Sequence, residues 1–225
     1  MINSLGEERA SHGNHFQESL RSSIARGLPG SEVQWKMASS DRFLKDFPRN
    51  PGKDAREAAV LVILFPEQGS VHTLLMKRPD YTGHHGGQIS FPGGKMEPSD
   101  EDLVKTAVRE AFEETGCKAE NSGIIGSLTP LFIPVSNMLV TALICWFNEL
   151  PELHPDSHEV EYLITVDLTK LLDPSAVRFK PMEIRGETYD VRYFSYEGHV
   201  IWGATAMILN ELLEIIKRDS IPLHL

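Results

Sequence analysis

GGKMEPSDEDLVKTAVREAFEETG, residues 93–116, is the stretch that decides how this chain is organised. If its second half is helical, at about 100° per residue, the carboxylates of Glu110, Glu113 and Glu114 share one side. The other side is mostly apolar and holds Val104, Ala107, Val108, Ala111 and Phe112. One face of the helix can therefore enter a hydrophobic core while the opposite face gathers negative charge.

The acidic face predicts a bound cation, since clustered like charges repel and are seldom gathered without compensation. Carboxylate oxygens are hard ligands that suit Mg²⁺ or Mn²⁺. A solvated acidic helix surface is the alternative interpretation. The glycines before the helix and Arg109 within it favour a metal site, and we expect Arg109 to orient one of the carboxylates.

Apolar runs and turn signals around this segment predict an α+β (mixed α/β) fold, with strands in the middle and helices interspersed irregularly. A short N-terminal helix is predicted over residues 8–26, followed by a polar wrapping arm over residues 38–56. We therefore expect an N-terminal helix and arm, residues 1–56, before the main domain, residues 57–225. Further helices are predicted over residues 101–115 and 202–217, and strands over residues 57–66, 70–78, 124–133, 138–147, 160–168 and 189–196.

The composition argues against several classes of function. The net charge of −10 over 225 residues disfavours a nucleic-acid surface, because phosphate backbones bind basic patches. No apolar run is long enough to span a bilayer, and no secretory signal is visible. Cys117 and Cys145 are too few for a disulfide framework and are expected to be buried free thiols. We therefore expect a cytoplasmic protein. A homodimer through the N-terminal helix is compatible with the sequence, although nothing requires one.

The segment at residues 93–116 resembles the Nudix box, G-x5-E-x7-R-E-U-x-E-E-x-G-U, in which U is a bulky apolar residue. The matching positions are Gly94, Arg109, Glu110, Glu113, Glu114 and Gly116. One extra residue lies before Arg109, so either Asp100 or Glu101 fills the first acidic position. The resemblance implies a Nudix-type α/β/α sandwich around a mixed β-sheet, with the box helix on one side and the C-terminal helix on the other. It also implies hydrolysis of a nucleoside diphosphate linked to another group, with a divalent metal ion.

The same resemblance assigns the catalytic side chains. Glu110, Glu113 and Glu114 are the implied metal ligands, and the carbonyl of Gly94 is a further candidate. The general base is either one of these carboxylates or an acid from a separate loop, since Nudix enzymes differ in this respect. The acidic loop PDSHEVEY offers Asp156, Glu159 and Glu161 as outside candidates. The predicted catalytic set combines the box residues with one acid of that loop, and consists of Arg109, Glu110, Glu113, Glu114 and Glu159.

A second motif, LLMKRPDYTGHHGGQISFPGG from residue 74, precedes the box. It resembles the pattern L-L-T-x-R-[SA]-x3-R-x3-G-x3-F-P-G-G of the coenzyme A pyrophosphatase branch of the Nudix family. The chain matches this pattern at Leu74, Leu75, Arg78, Gly87, Phe91, Pro92, Gly93 and Gly94. It departs from the pattern at Met76, at Pro79 and at Gly83, which replaces the second Arg.

The second resemblance implies cleavage of coenzyme A or acyl-coenzyme A to 3′,5′-ADP and (acyl-)4′-phosphopantetheine. A small-molecule nucleotide is thus the expected partner, with substrate contacts from Arg78, His85, Gln88 and Gly93. Because Gly83 removes one cation that a 3′-phosphate could use, ADP-ribose, a dinucleotide or an aberrant nucleoside triphosphate stays an alternative substrate. A non-catalytic, nucleotide-sensing Nudix module is the other alternative, although such a module would have little need of the box carboxylates.

Overall fold

A computed structural model describes residues 2–38, 49–80, 86–120, 123–184 and 186–225 of the chain. The helices are α1 (Ile2–Arg26), α2 (Ser31–Trp35), α3 (Leu103–Thr115), α4 (Leu168–Leu172) and α5 (Gly203–Arg218). The strands are β1 (Arg56–Glu67), β2 (Ser70–Lys77), β3 (Ile89–Ser90), β4 (Gly93–Lys95), β5 (Ile124–Ser127), β6 (Leu131–Ile133), β7 (Met138–Trp146), β8 (Tyr162–Asp167), β9 (Val177–Ile184), β10 (Glu187–Tyr196) and β11 (His199–Trp202). Within the described ranges, no helix is both long and apolar enough to cross a membrane.

Strand β1 lies inside a mixed sheet. It pairs in parallel with β7, from Arg56 beside Met138 to Leu64 beside Trp146, and antiparallel with β2 and β4. The order across the sheet is β3-β2-β1-β7-β5, with β8 also beside β2 and β6 also beside β7. A parallel pair requires a long crossover connection, and α3 lies within the segment that joins β1 to β7. Strands β9, β10 and β11 form a second, antiparallel sheet in the order β11-β10-β9.

Helices cover both faces of the mixed sheet, because successive residues of β1 point alternately into two cores. The smaller core joins one face of the sheet to α3 and includes Ala59, Leu61, Ile63, Phe65, Ala107 and Ala111. The larger core, on the opposite face, includes Val62 and Leu64 of β1 with Leu209, Leu212 and Ile216 of α5. The chain is therefore an α/β/α sandwich around a mixed sheet with α3 and α5 in opposite layers, and the predicted fold class is confirmed.

Helix α1 packs into the larger core. Phe16 and Leu20 are fully buried, and the ring centroid of Phe16 lies 5.1 Å from that of Trp146 on β7. The N-terminal helix thus shares its hydrophobic core with the sheet. Residues 39–48 of the predicted arm lie outside the described residues, and the division of the chain at residue 56 stays a prediction.

Helix α2 is fixed by Glu211, a fully buried carboxylate on α5. Glu211 accepts hydrogen bonds from the Gly30 N–H at 3.0 Å and from Nε2 of Gln34 at 2.8 Å. It also accepts from the backbone N–H of Thr129 at 3.1 Å and from the Thr129 hydroxyl at 2.6 Å. These four bonds tie α2 and the connection between β5 and β6 to α5.

Some elements differ from the sequence prediction. Helix α1 ends at Arg26 as predicted but begins at Ile2 instead of residue 8. The strand predicted over residues 124–133 is divided into β5 and β6. The sequence analysis did not predict α2, α4, the two short strands β3 and β4, or the strands β9 and β11.

Candidate active site

The box helix α3 has a defined beginning and end. The side chain of Asp102 caps its first turn by accepting the backbone N–H of Lys105 at 2.8 Å. Gly116 ends the helix in a left-handed conformation with φ of 75°, which costs glycine little. A Cβ on Gly116 would lie 2.7 Å from the backbone nitrogen of His154. Glycine is therefore required here both for the turn and for the close approach of the loop at residue 154.

Two glycines let strand β4 lie close to β1 and to α3. Gly93 has φ of 151°, and a Cβ there would overlap the backbone of Ala59 and Val60. A Cβ on Gly94 would overlap the carboxylate of Glu110. Gly93 consequently lets β4 lie close to β1, and Gly94 lets the carboxylate of Glu110 on α3 approach the backbone of β4.

Glu114 is the most deeply buried acid of this site, with 1% of its surface exposed. Its Oε2 accepts the Gly93 N–H at 2.7 Å, and its Oε1 accepts Nη2 of Arg78 at 2.7 Å. Burial raises the pKa of Glu114 to about 7, although Arg78 and the Gly93 N–H favour its charged form. The nearby charges of Glu110 and Glu159 raise this pKa further. Burial therefore disfavours the charged form of Glu114, and an additional cation beside this carboxylate would stabilise that form.

Arg109 holds three acids together. Its Nε and Nη2 donate to Oδ1 and Oδ2 of Asp100 at 3.0 and 2.9 Å. Its Nη1 donates to Glu110 and to Glu113, at 3.0 Å in each case. The hydrogen bonds from Arg109 hold the pKa of Asp100 well below its usual range, while Asp100 raises the pKa of the guanidinium. Arg109 therefore contacts two of the box carboxylates, and its orienting role stays a prediction.

Asp100 fills the first acidic position of the box. It receives the two hydrogen bonds from Arg109, whereas the neighbouring Glu101 is exposed to solvent. Asp100 also accepts the backbone N–H of Glu97 at 2.9 Å and the hydroxyl of Thr106 at 3.0 Å. The choice that the sequence left open is therefore settled, and the extra residue of the box lies between Asp100 and Arg109.

Glu159 lies close enough to the box helix for its charge to act on the box carboxylates. Burial raises the pKa of Glu110, and the charges of Glu113 and Glu159 raise it further. The loop that carries Glu159 is attached to the last turn of α3, because the N–H of Asp156 donates to the Glu114 carbonyl at 3.0 Å. This attachment holds the beginning of the loop against the end of α3.

The other two acids of the loop have local partners. Asp156 accepts the N–H of His158 at 2.8 Å. Glu161 accepts Nζ of Lys77 at 2.9 Å. Glu159 therefore stays the predicted general base from this loop, and its charge acts on Glu110 and Glu114.

The donor chemistry of the site fits a divalent metal ion. Its candidate ligating atoms are carboxylate oxygens, and burial together with the neighbouring negative charges raises the pKa of Glu110 and Glu114. Such a site is stabilised by a hard cation. In the described part of the chain, no three His, Cys, Asp or Glu side chains are already arranged to hold a metal. The carboxylates are instead engaged with Arg78 and Arg109, so binding of a metal requires some of these contacts to change.

The predicted substrate residues have different surroundings. Arg78 and the Gly93 N–H both contact Glu114, so each is engaged inside the site. The Gln88 carbonyl accepts the N–H of Arg78 at 2.9 Å. His85 lies outside the described residues.

The sequence analysis missed the contact between Arg78 and Glu114, which are 36 positions apart. No local sequence pattern indicates a contact between residues so far apart in the chain. The sequence offers one indirect indication: Glu114 lies beside the apolar face of α3, and a buried carboxylate needs a cationic partner.

Comparisons with known proteins bear on the family of this chain. The NUDIX domain family matches residues 55–198. An uncharacterized Nudix hydrolase NudL from Photorhabdus laumondii is 32% identical over 183 residues, which cover 79% of this chain and 95% of that protein. A protein of the same name from Yersinia pestis is 36% identical over 166 residues, covering 72% of this chain and 80% of that protein.

A similar fold is found in the crystal structure of a MutT/nudix family protein from Enterococcus faecalis. It aligns with a TM-score of 0.51 at 13% identity, over 84% of this chain and 73% of that one. At this identity the similarity concerns the fold alone. The match to the family over most of the α/β/α sandwich and the similarity to the NudL proteins lead to one conclusion: this chain belongs to the Nudix hydrolase family.

Proposed function

We propose that this Nudix hydrolase is a metal-dependent pyrophosphohydrolase that cleaves the diphosphate of coenzyme A or acyl-coenzyme A. The products would be 3′,5′-ADP and (acyl-)4′-phosphopantetheine. One observation carries the proposal: Arg78 and Gly93, which belong to the motif upstream of the box, bind the two carboxylate oxygens of Glu114. The motif that resembles the coenzyme A branch is thus part of the same site as the box.

The side chains of the site have separate tasks in this proposal. Glu110, Glu113 and Glu114 hold the divalent metal, proposed to be Mg²⁺ or Mn²⁺, with the Gly94 carbonyl as a further ligand. When bound, the metal neutralises diphosphate oxygens and lowers the pKa of a coordinated water. Arg109 keeps Glu110 and Glu113 oriented toward one region. Glu159 takes the proton of the attacking water in this proposal, because its loop is attached to the last turn of α3 through the hydrogen bond from the Asp156 N–H to the Glu114 carbonyl.

The remaining predicted residues face the substrate in this proposal. Arg78 supplies a planar guanidinium that matches phosphate oxygens. His85 and Gln88, from the glycine-rich segment between β2 and β4, contact the substrate beside it. A nucleotide of this size is the only partner that the proposal requires.

The alternative is a Nudix diphosphatase for another nucleoside diphosphate derivative, such as ADP-ribose or a dinucleotide. It is favoured by Gly83, which stands where the coenzyme A pattern has a second Arg. Without that side chain, one cationic donor for the 3′-phosphate is lost.

A substrate panel distinguishes the two functions. The enzyme is incubated with coenzyme A, acetyl-coenzyme A, ADP-ribose and a diadenosine polyphosphate, each with Mg²⁺ or Mn²⁺, and the nucleotide products are separated chromatographically. We expect 3′,5′-ADP from the two coenzyme A substrates and no turnover after EDTA treatment. Turnover of ADP-ribose with untouched coenzyme A contradicts the proposal and supports the alternative.

A further inference from the structure

The guanidinium of Arg78 occupies the kind of position that a metal ion uses. Its Nη2 lies 2.7 Å from Oε1 of Glu114 and 3.3 Å from the carbonyl oxygen of Gly93. A carboxylate oxygen and a main-chain carbonyl oxygen are both typical ligands of a hard divalent cation. Arg78 thus places a positive charge between two oxygens that could otherwise face a metal.

The geometry of Glu114 leaves little room for a second cation. Its Oε2 is already occupied by the Gly93 N–H at 2.7 Å, so Oε1 is the oxygen that a new ligand would approach. Arg78 holds that oxygen, and the side chains of Arg78 and Glu114 are 19% and 2% exposed. Screening by solvent is weak at such burial, so a divalent ion on Oε1 would repel the guanidinium strongly.

We propose that Arg78 is a counter-ion of Glu114 and that a divalent cation displaces it from this carboxylate. The released guanidinium then meets the diphosphate of the substrate. This inference rests on the proposed function only in requiring a metal and a diphosphate at the site.

The position of Arg78 in the chain supports this exchange. Its backbone is fixed just beyond the end of β2, where its N–H donates to the Gln88 carbonyl at 2.9 Å. The side chain can therefore move while its Cα stays beside the site. A half-buried guanidinium without an anion is unfavourable, so a released Arg78 needs a new anionic partner. A diphosphate offers oxygens in the planar geometry that guanidinium binds best.

The exchange predicts opposite effects on two ligands when the charge of Arg78 is removed. Arg78→Gln removes the competing cation, so Mn²⁺ should bind about three- to tenfold more tightly without substrate. Methylenediphosphonate, a diphosphate analogue that is not hydrolysed, should bind about tenfold more weakly in the presence of Mn²⁺. A residue that merely positions Glu114 would instead weaken Mn²⁺ binding when it is replaced.

The experiment measures free Mn²⁺ by electron paramagnetic resonance, and analogue binding by calorimetry, on purified full-length chain. Lys77→Gln is the matched control, since Lys77 is the preceding residue and pairs with Glu161. Unchanged or weaker Mn²⁺ binding by Arg78→Gln, relative to Lys77→Gln, overturns the inference, and so does unchanged binding of the analogue.

A second variant covers the case in which Arg78→Gln does not fold. Arg78→Lys keeps the charge but loses the planar fork, so it should bind Mn²⁺ as the wild type does and the analogue several-fold more weakly. Equal binding of the analogue by Arg78→Lys and the wild type contradicts the inference. Neither measurement uses coenzyme A. If the wild type does not hydrolyse coenzyme A, only the proposed substrate is refuted. If the wild type hydrolyses coenzyme A and Arg78→Gln binds Mn²⁺ with unchanged affinity, only the proposed counter-ion role of Arg78 is refuted.

Discussion

At the scale of single residues, Glu114 joins the box to the motif that precedes it. Glu114→Gln keeps the shape of the side chain but removes the charge that a metal needs. We expect kcat to fall by about 10²–10⁴-fold, an effect typical of a lost catalytic group, at a temperature where the variant is fully folded. The measurement is steady-state turnover of the best substrate together with thermal denaturation. Glu149→Gln, at an exposed position, is the control, and wild-type turnover by Glu114→Gln would remove Glu114 from the metal site.

The raised pKa of Glu114 predicts an unusual dependence of stability on pH. Burial raises this pKa from 4.5 to about 7, so between these values the folded chain binds more protons than the unfolded chain. The free energy of unfolding should therefore decrease as pH rises through this range, when metal is absent. Denaturation in EDTA at several pH values between 5 and 7 tests this for the wild type and Glu114→Gln. A difference between the two proteins that does not change with pH contradicts the prediction.

In the metal-bound protein, the free energy of unfolding should instead increase with pH, because the metal requires the charged form of the Glu114 carboxylate. Protons compete with the metal below about pH 7, where Glu114 is largely neutral. We expect the affinity for Mn²⁺ to rise between pH 6 and 8 and the metal-bound protein to gain stability over the same range. Titration with Mn²⁺ at fixed ionic strength measures this, and an affinity independent of pH would show that Glu114 is not a ligand.

At the scale of elements, the segment before α3 is attached to the helix by Asp100. Asp100→Asn removes the charge that receives two hydrogen bonds from Arg109, and Arg109 then loses its strongest partner. We expect a loss of about 1–3 kcal/mol in the free energy of unfolding, together with reduced kcat. Glu101→Gln is the matched control, because the neighbouring Glu101 is exposed, and it should stay within about 0.5 kcal/mol. Urea denaturation of both variants measures the difference, and equal losses would contradict the assignment of Asp100.

The elements that the sequence predicted are those with a strong periodic pattern. Helix α3 has two distinct faces and ends at Gly116, and β1 is a long apolar run that remains buried on both faces of the sheet. Strand β9 escaped prediction because its sequence, VRFKPMEI, mixes charged residues with a proline and Phe179 is 60% exposed. Its pairing with β10 depends on the fold rather than on local sequence. The contact of Arg78 with Glu114 also depends on the fold, so the sequence did not predict it. The contacts of Arg109 with Glu110 and Glu113 could be anticipated, because all three residues lie on the same helix.

At the scale of the whole molecule, two buried glutamates lie in opposite layers of the sandwich. Glu114 is on α3 and Glu211 is on α5, with 1% and 0% of their surfaces exposed. Glu114 contacts an arginine, whereas the contacts of Glu211 given by the structure are with neutral N–H and hydroxyl donors. Because α3 and α5 lie on opposite faces of the sheet, we expect Glu114 to affect catalysis and Glu211 to affect the packing of α2 against α5.

This separation predicts that the two glutamates affect different properties. Glu211→Ala leaves buried donors on Gly30, Gln34 and Thr129 without their acceptor. We expect the free energy of unfolding to fall by about 3–5 kcal/mol, while kcat of the folded fraction stays within about twofold, since a group this remote leaves the transition state untouched. Glu214→Ala, on the same helix and only partly buried, should cost less than about 0.5 kcal/mol. A large loss of kcat in Glu211→Ala at a temperature where the protein is fully folded would show that α5 and the box helix are coupled across the sheet.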